Sequence, residues 1–338
     1  MKKLLILGLV LMLSVPSLFG YGAIVMPAGV GRFYIAPTFS FANSAFDEDG
    51  NRESFDDTTM NVFNLGFALE FGLTNWITGA VQWAPGWTPW SDLGEGPLGG
   101  TFNTNGTADI FLGAKFNIVG GQHAPVNSDR VRFSAAAGLI IPTGAPDFRD
   151  ELPKMATGDD VTVSRMDNHV WGIGGRFFFD CIINDNFFIN FYNETLLYFG
   201  TQSLYNHSLG LAGLSMLPGV TGDVSFRPRL TFSVEPVFMT TLAPGINFGA
   251  GLELEYRWTL APELTITGLP ALVPAPEFQD THRLNLTPSA QIFFMGLPLP
   301  LEFKLQYAIP LWGQGVTAMN NVTLQIRAYF AIPAMTGR

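Results

Sequence analysis

The chain reads as an all-β protein, a transmembrane up-and-down antiparallel β-barrel of about twelve strands. Three observations predict this. Apolar and polar side chains alternate with a period of two in about a dozen segments of roughly ten residues, the length a tilted strand needs to cross a bilayer. No Asp, Glu, Lys or Arg falls in the apolar register of these segments, as expected where a charge facing lipid at mid-depth costs about 2–4 kcal/mol. The 338 residues are 47% hydrophobic and 13% aromatic but only 14% charged, yet beyond the N-terminus no run of ~18 apolar residues offers a helical span. Alternation alone also fits a soluble sandwich. Aromatics near the strand ends, such as Phe33 and Phe41 or Trp171 and Phe179, fit girdles at two membrane interfaces instead.

Residues 1–22 read as a secretory signal peptide: Lys2 and Lys3, an apolar core from Leu4, Pro16, then small residues, with cleavage near Gly20 or Gly22. Residues 23–338 then form one barrel domain. Cys181 is the only cysteine, so no intramolecular disulfide forms and packing near a turn is its expected role. The first strand, 32–41, sets Phe33, Ile35, Phe39 and Phe41 against Arg32, Tyr34, Thr38 and Ser40. In 61–72, NVFNLGFALEFG, five large apolar residues from Phe63 to Phe71 alternate with Asn64, Gly66, Ala68, Glu70 and Gly72. Segment 76–84 alternates more weakly, and 108–118, 130–141, 170–180 and 187–198 follow with Ile, Leu, Phe and Trp in one register. The clearest pattern is 246–258, preceded by 225–238; 283–294, 301–311 and 322–332 complete the set.

Connection lengths give an independent test. Short links at 73–75, 119–129, 183–186, 240–245 and 296–300 alternate with long ones at 42–61, 85–106, 142–168, 199–223, 259–282 and 312–321. Barrels of the outer membrane have short periplasmic turns and long external loops, so both barrel termini are expected in the periplasm and the strand number even. It becomes fourteen if 208–216, SLGLAGLSM, supplies a strand pair with its flank.

GFALEFGLTNWITGAVQW, GTADIFLGAKFNI and AAAGLIIPTG resemble, in order, the motifs of the outer-membrane family named for the MetA pathway of phenol degradation. The likeness covers roughly residues 26–144. More loosely, MPAGVG at 26–31 is similar to the Asn-Pro-Ala region of the long-chain fatty acid transporter FadL, with methionine for asparagine and a short chain upstream where that transporter has its N-terminal plug. The resemblance implies uptake of hydrophobic small molecules through a monomeric barrel.

The residues point to no catalytic constellation. In NHS at 206–208, His207 and Ser208 are adjacent and would point to opposite faces of a strand, and His123, His169 and His282 lack metal-ligand spacing. No metal and no cofactor is expected. A formal net charge of -10 argues against nucleic acid. Partners are the outer-membrane lipids, small-molecule solutes and the barrel-assembly machinery. The chemistry lies in the lumen, where Asp109, Lys115, Arg132, Arg176, Asp180, Glu194, Arg227, Arg229, Glu253, Glu255, Arg257, Arg283, Lys304 and Arg327 are expected to line the interior. They either pair and fill it or set the solute preference of a pore. A turn near Ala243 would set Arg229 opposite Glu255 and Arg227 opposite Arg257. Trp87 and Trp90 are expected on an external loop. The function implied is a channel or transporter for small, hydrophobic molecules in the outer membrane. A sealed structural or adhesive barrel and a lipid-hydrolysing enzyme are the alternatives.

Overall fold

The structure, a computed structural model, describes residues 22–332 apart from 56–57, 96–99, 122, 144–147, 163–167, 208–210, 212, 215–216 and 270–276. Twelve strands form the barrel: β1 (Val30–Ala42), β2 (Met60–Thr74), β3 (Ile77–Asp92), β4 (Ile110–Gly120), β5 (Val131–Ile141), β6 (Trp171–Asn184), β7 (Phe187–Phe199), β8 (Arg229–Ala243), β9 (Ile246–Thr259), β10 (Thr281–Phe294), β11 (Leu301–Gln314) and β12 (Asn320–Ala331). Each pairs antiparallel with the next, and β1 pairs with β12, which closes the circuit. A two-residue strand, Val126–Asn127, lies parallel to the end of β4. Closure leaves the barrel without free edges, so its backbone groups are satisfied within the wall.

The faces decide the environment. In β2, Glu70 is 3% exposed and its neighbour Leu69 43%; in β9, Glu253 is 3% exposed and Leu252 46%. A soluble sandwich would bury the leucines. Here the charges lie inside and the apolar residues outside, as a lipid-facing wall requires. Outward rings pair near both ends: Phe39 with Trp90 at 6.4 Å on the side of the long loops, and Phe71 with Phe330 at 6.4 Å on the side of the short turns. Among the described residues no helix is long and apolar enough to cross a membrane.

Three expectations are corrected. β3 continues to Asp92, which puts Trp87 and Trp90 on the outer face of a strand instead of a loop. The expected link begins at 85, but the β2–β3 ladder continues past Pro85 and Gly86 by bulging: its register shifts between Phe63 and Leu65 and again between Leu65 and Phe67. Gly86 adopts φ +86°, and a Cβ on it would lie 2.0 Å from the Leu65 carbonyl oxygen, so only glycine fits.

β8 begins at Arg229, because Thr221–Ser225 joins an external three-stranded sheet between Thr201–Ser203 and Glu263–Thr267. Arg227 therefore lies outside the barrel interior, exposed and ion-paired with Glu263. The β8–β9 register sets Thr231 opposite Arg257, Ser233 opposite Glu255 and Arg229 opposite Thr259. Neither expected pair is therefore directly opposite across this hairpin. The cause is the turn, which falls at Pro244 and Gly245, with φ +77° at the glycine, after a bulge between Thr241 and Ala243. The fourteen-strand alternative rests on 208–216, most of which lies outside the described residues; Leu211, Gly213 and Leu214 within it are helical.

Candidate functional site in the barrel interior

At the long-loop mouth the loops fold inward. Ala42, Met60 and Val62, the inward residues at the external ends of β1 and β2, pack with Leu93, Phe102, Phe148, Val161 and Met319 in one buried apolar cluster. A short helix, α1 (Glu151–Thr157), packs Leu152 and Met155 against it. Thr101 donates its backbone N–H and its hydroxyl to Asp160 (2.8 and 2.9 Å), which holds that carboxyl below its ordinary range and ties the loops together. Asp109 has a similar role. It accepts from the backbone N–H of Thr143 and of His169 at 3.3 and 3.1 Å, and so anchors two external segments to the wall.

Below this lid the interior narrows on a glycine shelf. Gly113, Gly138 and Gly174 stand side by side on β4, β5 and β6, and a Cβ on any of them would come within 2.8 Å of the Phe111 ring. The missing side chains let that ring lie across the wall. Arg176 covers it, its guanidinium carbon 3.9 Å from the ring centroid. Arg176 Nε also donates to Glu194 Oε2 at 2.6 Å and Nη1 to Gln82 Oε1 at 2.9 Å, while the Tyr192 hydroxyl donates to the same Glu194 oxygen at 3.0 Å. Arg229, Glu255 and Arg257 border the same cavity of ≈ 60 Å³, and Arg257 pairs with Glu255 at 3.1 Å. That space is large enough for a few waters.

Two further networks cross the lumen. Arg32 pairs with Glu70 at 2.5 Å, Tyr34 donates to Glu70 at 3.1 Å, Arg327 donates to Glu302 at 2.7 Å and Gln325 donates to Gln306 at 2.7 Å. Lys304 and Asn190 both donate to Glu235, at 3.3 and 3.2 Å. Glu253 and Arg283 are buried on the inward face of β9 and β10.

The short-turn end is occupied by the segment that precedes β1. Residues 22–28 run inside the barrel: Met26 N–H donates to the Thr78 hydroxyl at 2.8 Å and Ala28 N–H to the Asn75 side-chain oxygen at 3.0 Å. A Cβ on Gly72 would sit 1.9 Å from the Pro27 carbonyl oxygen, so the segment rests directly on the bare backbone there. Lys115 donates to the Gly22 carbonyl, and Arg132, half-buried, lies 3.7 Å from Asp180. A second cavity, of ≈ 180 Å³, opens beside this segment between Ile24, Asn75, His123 and Arg132.

Of the charged residues expected inside, the structure thus groups Asp109, Arg176, Glu194, Arg229, Glu255 and Arg257 around one narrow level and sets Lys115 and Arg132 beside the N-terminal segment. Glu253, Arg283, Lys304 and Arg327 face the interior elsewhere, and Arg227 does not face it. Sequence reasoning overlooked Phe111 as an interior residue. Its signal was present, since it stands between Ile110 and Leu112 of the outward register.

No family model and no curated protein sequence matches this chain. Solved structures do. An outer membrane channel from Pseudomonas putida F1 is 14% identical, with a TM-score of 0.64 over 93% of this chain and 99% of that chain. The chain has the fold of that channel. A FadL homologue from Pseudomonas aeruginosa is also similar, at 9% identity and a TM-score of 0.37 over 89% of this chain and 90% of that one.

Proposed function

We propose that this chain is an outer-membrane channel that passes small, hydrophobic molecules, with the short-turn end and both barrel termini in the periplasm. The carrying observation is the interior of the closed barrel: paired charges surround small cavities between an apolar external lid and a short N-terminal segment. A solid apolar core would seal such a barrel. This interior keeps two small cavities, one of them lined by Arg176, Glu194, Arg229, Glu255 and Arg257. The apolar lid offers the first contact to a solute from outside and favours aromatic or aliphatic compounds over sugars. The shared fold with a bacterial outer membrane channel supports the location and the class. Delivery to the membrane would follow export and the barrel-assembly machinery.

Liposome uptake with a panel from sugars to aromatic and fatty acids tests this reading. The expected result is faster entry of the aromatic and fatty acids than of sugars of similar size; liposomes impermeable to the whole panel would favour a sealed barrel. A lipid-hydrolysing activity should be absent from a turnover assay on the refolded protein, since His207 is buried between the rings of Phe226 and Phe278 at 5.7 and 5.5 Å.

The charges at the narrow level should set ion preference. Glu255→Lys replaces the acidic member of the Arg257 pair with a third cation beside Arg229 and Arg257. Planar-bilayer recordings should show a shift toward anions. Unchanged conductance and selectivity would mean that these side chains lie off the path.

A further inference from the structure

We propose that the leader is cut between Gly22 and Ala23, and that the Ala23 α-ammonium so formed is held inside the barrel by the buried carboxylate of Asp180. Two independent observations meet at this bond. In the sequence, Gly20 and Gly22 stand three residues and one residue before it, the small-x-small pattern at which a signal peptide is released. In the structure, the Ala23 nitrogen lies 3.0 Å from both oxygens of Asp180, which is fully buried. An amide nitrogen carries one hydrogen, whereas an ammonium has three and can satisfy both oxygens at once.

The rest of the pocket fits an N-terminal alanine. The Ala23 carbonyl accepts from the Asn117 side-chain amide at 3.3 Å and from the Ser134 hydroxyl. Its methyl is wholly buried in an apolar cluster that includes Ala80, Ala136 and Phe178. Each polar atom and the side chain of a terminal alanine thus has a matching partner on the barrel wall.

The step is a hydrolysis. Water adds across the Gly22–Ala23 amide: the glycine carbonyl carbon takes the hydroxyl and leaves with the leader as a carboxylate, while the alanine nitrogen gains the proton and becomes an amine, cationic at neutral pH. Lys115, which donates to the Gly22 carbonyl in the uncut chain, loses that acceptor and keeps its place over the Phe178 ring, at 4.0 Å from the centroid. The new charge pair tethers residues 23–28 across the periplasmic interior. This inference does not depend on which solute the barrel passes.

N-terminal sequencing and intact mass of the protein recovered from membranes should give a chain that begins at Ala23. A start at Tyr21, at any other residue, or with the leader retained would overturn the cleavage site. For the tether, the native mature protein is treated with an amine-acylating reagent and mapped by peptide mass. The Ala23 amine should react about tenfold or more slowly than in Asp180→Asn, as expected for a buried charge-assisted bond, with exposed Lys154 reacting equally in both as the control. If Asp180→Asn does not fold, a chain refolded with Gly22 retained as its first residue takes its place, and its terminal amine should react at the faster rate. Equal rates in the two chains compared would overturn the ion pair.

Discussion

Leu252→Arg should destabilise the folded protein in bilayers by about 2–4 kcal/mol, whereas Glu253→Ala, one residue away, should cost far less. Leu252 lies near the middle of β9, opposite Pro288 of β10, and points away from the interior. A guanidinium there must enter hydrocarbon or drag water and headgroups toward the midplane. Glu253 points the other way, onto a face that also carries Glu255, so its loss removes one of two neighbouring buried carboxyl groups and leaves the outward face unchanged. Urea titrations of refolding into defined vesicles measure both changes on one scale. Similar costs for the two variants would overturn the assignment of faces on which the membrane reading stands.

That assignment was legible from the sequence because a period of two leaves no freedom. Once Leu252 and Leu254 share a face, Glu253 and Glu255 must share the other. The short turns were legible for a related reason: Asn184 to Asn186 and Pro244 to Gly245 interrupt the alternation with residues that favour turns. What alternation cannot carry is register. The β8–β9 pairing depends on where the bulge at Thr241 and Ala243 places the turn, and that choice sets Thr259 opposite Arg229 and Ser233 opposite Glu255. β3 was cut short for the opposite reason, since Pro85 and Gly86 are breakers by propensity and the bulged ladder tolerates them.

The interior was legible in part. Charged residues announce an inward face, so Arg176 and Glu194 could be placed, but the shelf of Gly113, Gly138 and Gly174 comes from three strands distant in sequence. Its meaning appears only when the Phe111 ring lies on it. Phe102 and Phe148 were hidden in the same way, in loops whose apolar residues cover the mouth. Residues 22–28 are too few to form a separate plug domain, yet they reach from Asp180 to Asn75 inside the wall.

Arg176→Ala is the variant that separates what the narrow level does for stability from what it does for passage. Arg176 and Glu194 are both buried, and the mutation leaves the Glu194 carboxylate with the Tyr192 hydroxyl and with Arg229 and Arg257 around the same cavity, but without the guanidinium bonded to it at 2.6 Å. Losing one member of a buried pair costs about 3–5 kcal/mol, chiefly because the remaining charge stays desolvated. The double change Arg176→Met with Glu194→Leu removes both charges and keeps the volume, and such replacements are often close to neutral. It should therefore recover most of the lost stability. Conductance should follow another order. Either variant strips the guanidinium from the Phe111 ring and from the ≈ 60 Å³ cavity, so single-channel conductance should rise in both. A single variant that unfolds as easily as predicted but conducts like the wild type would make this level structural filling, with the solute path elsewhere in the barrel. A single variant as stable as the wild type would show that Arg229, Arg257 or water compensates Glu194 once Arg176 is gone.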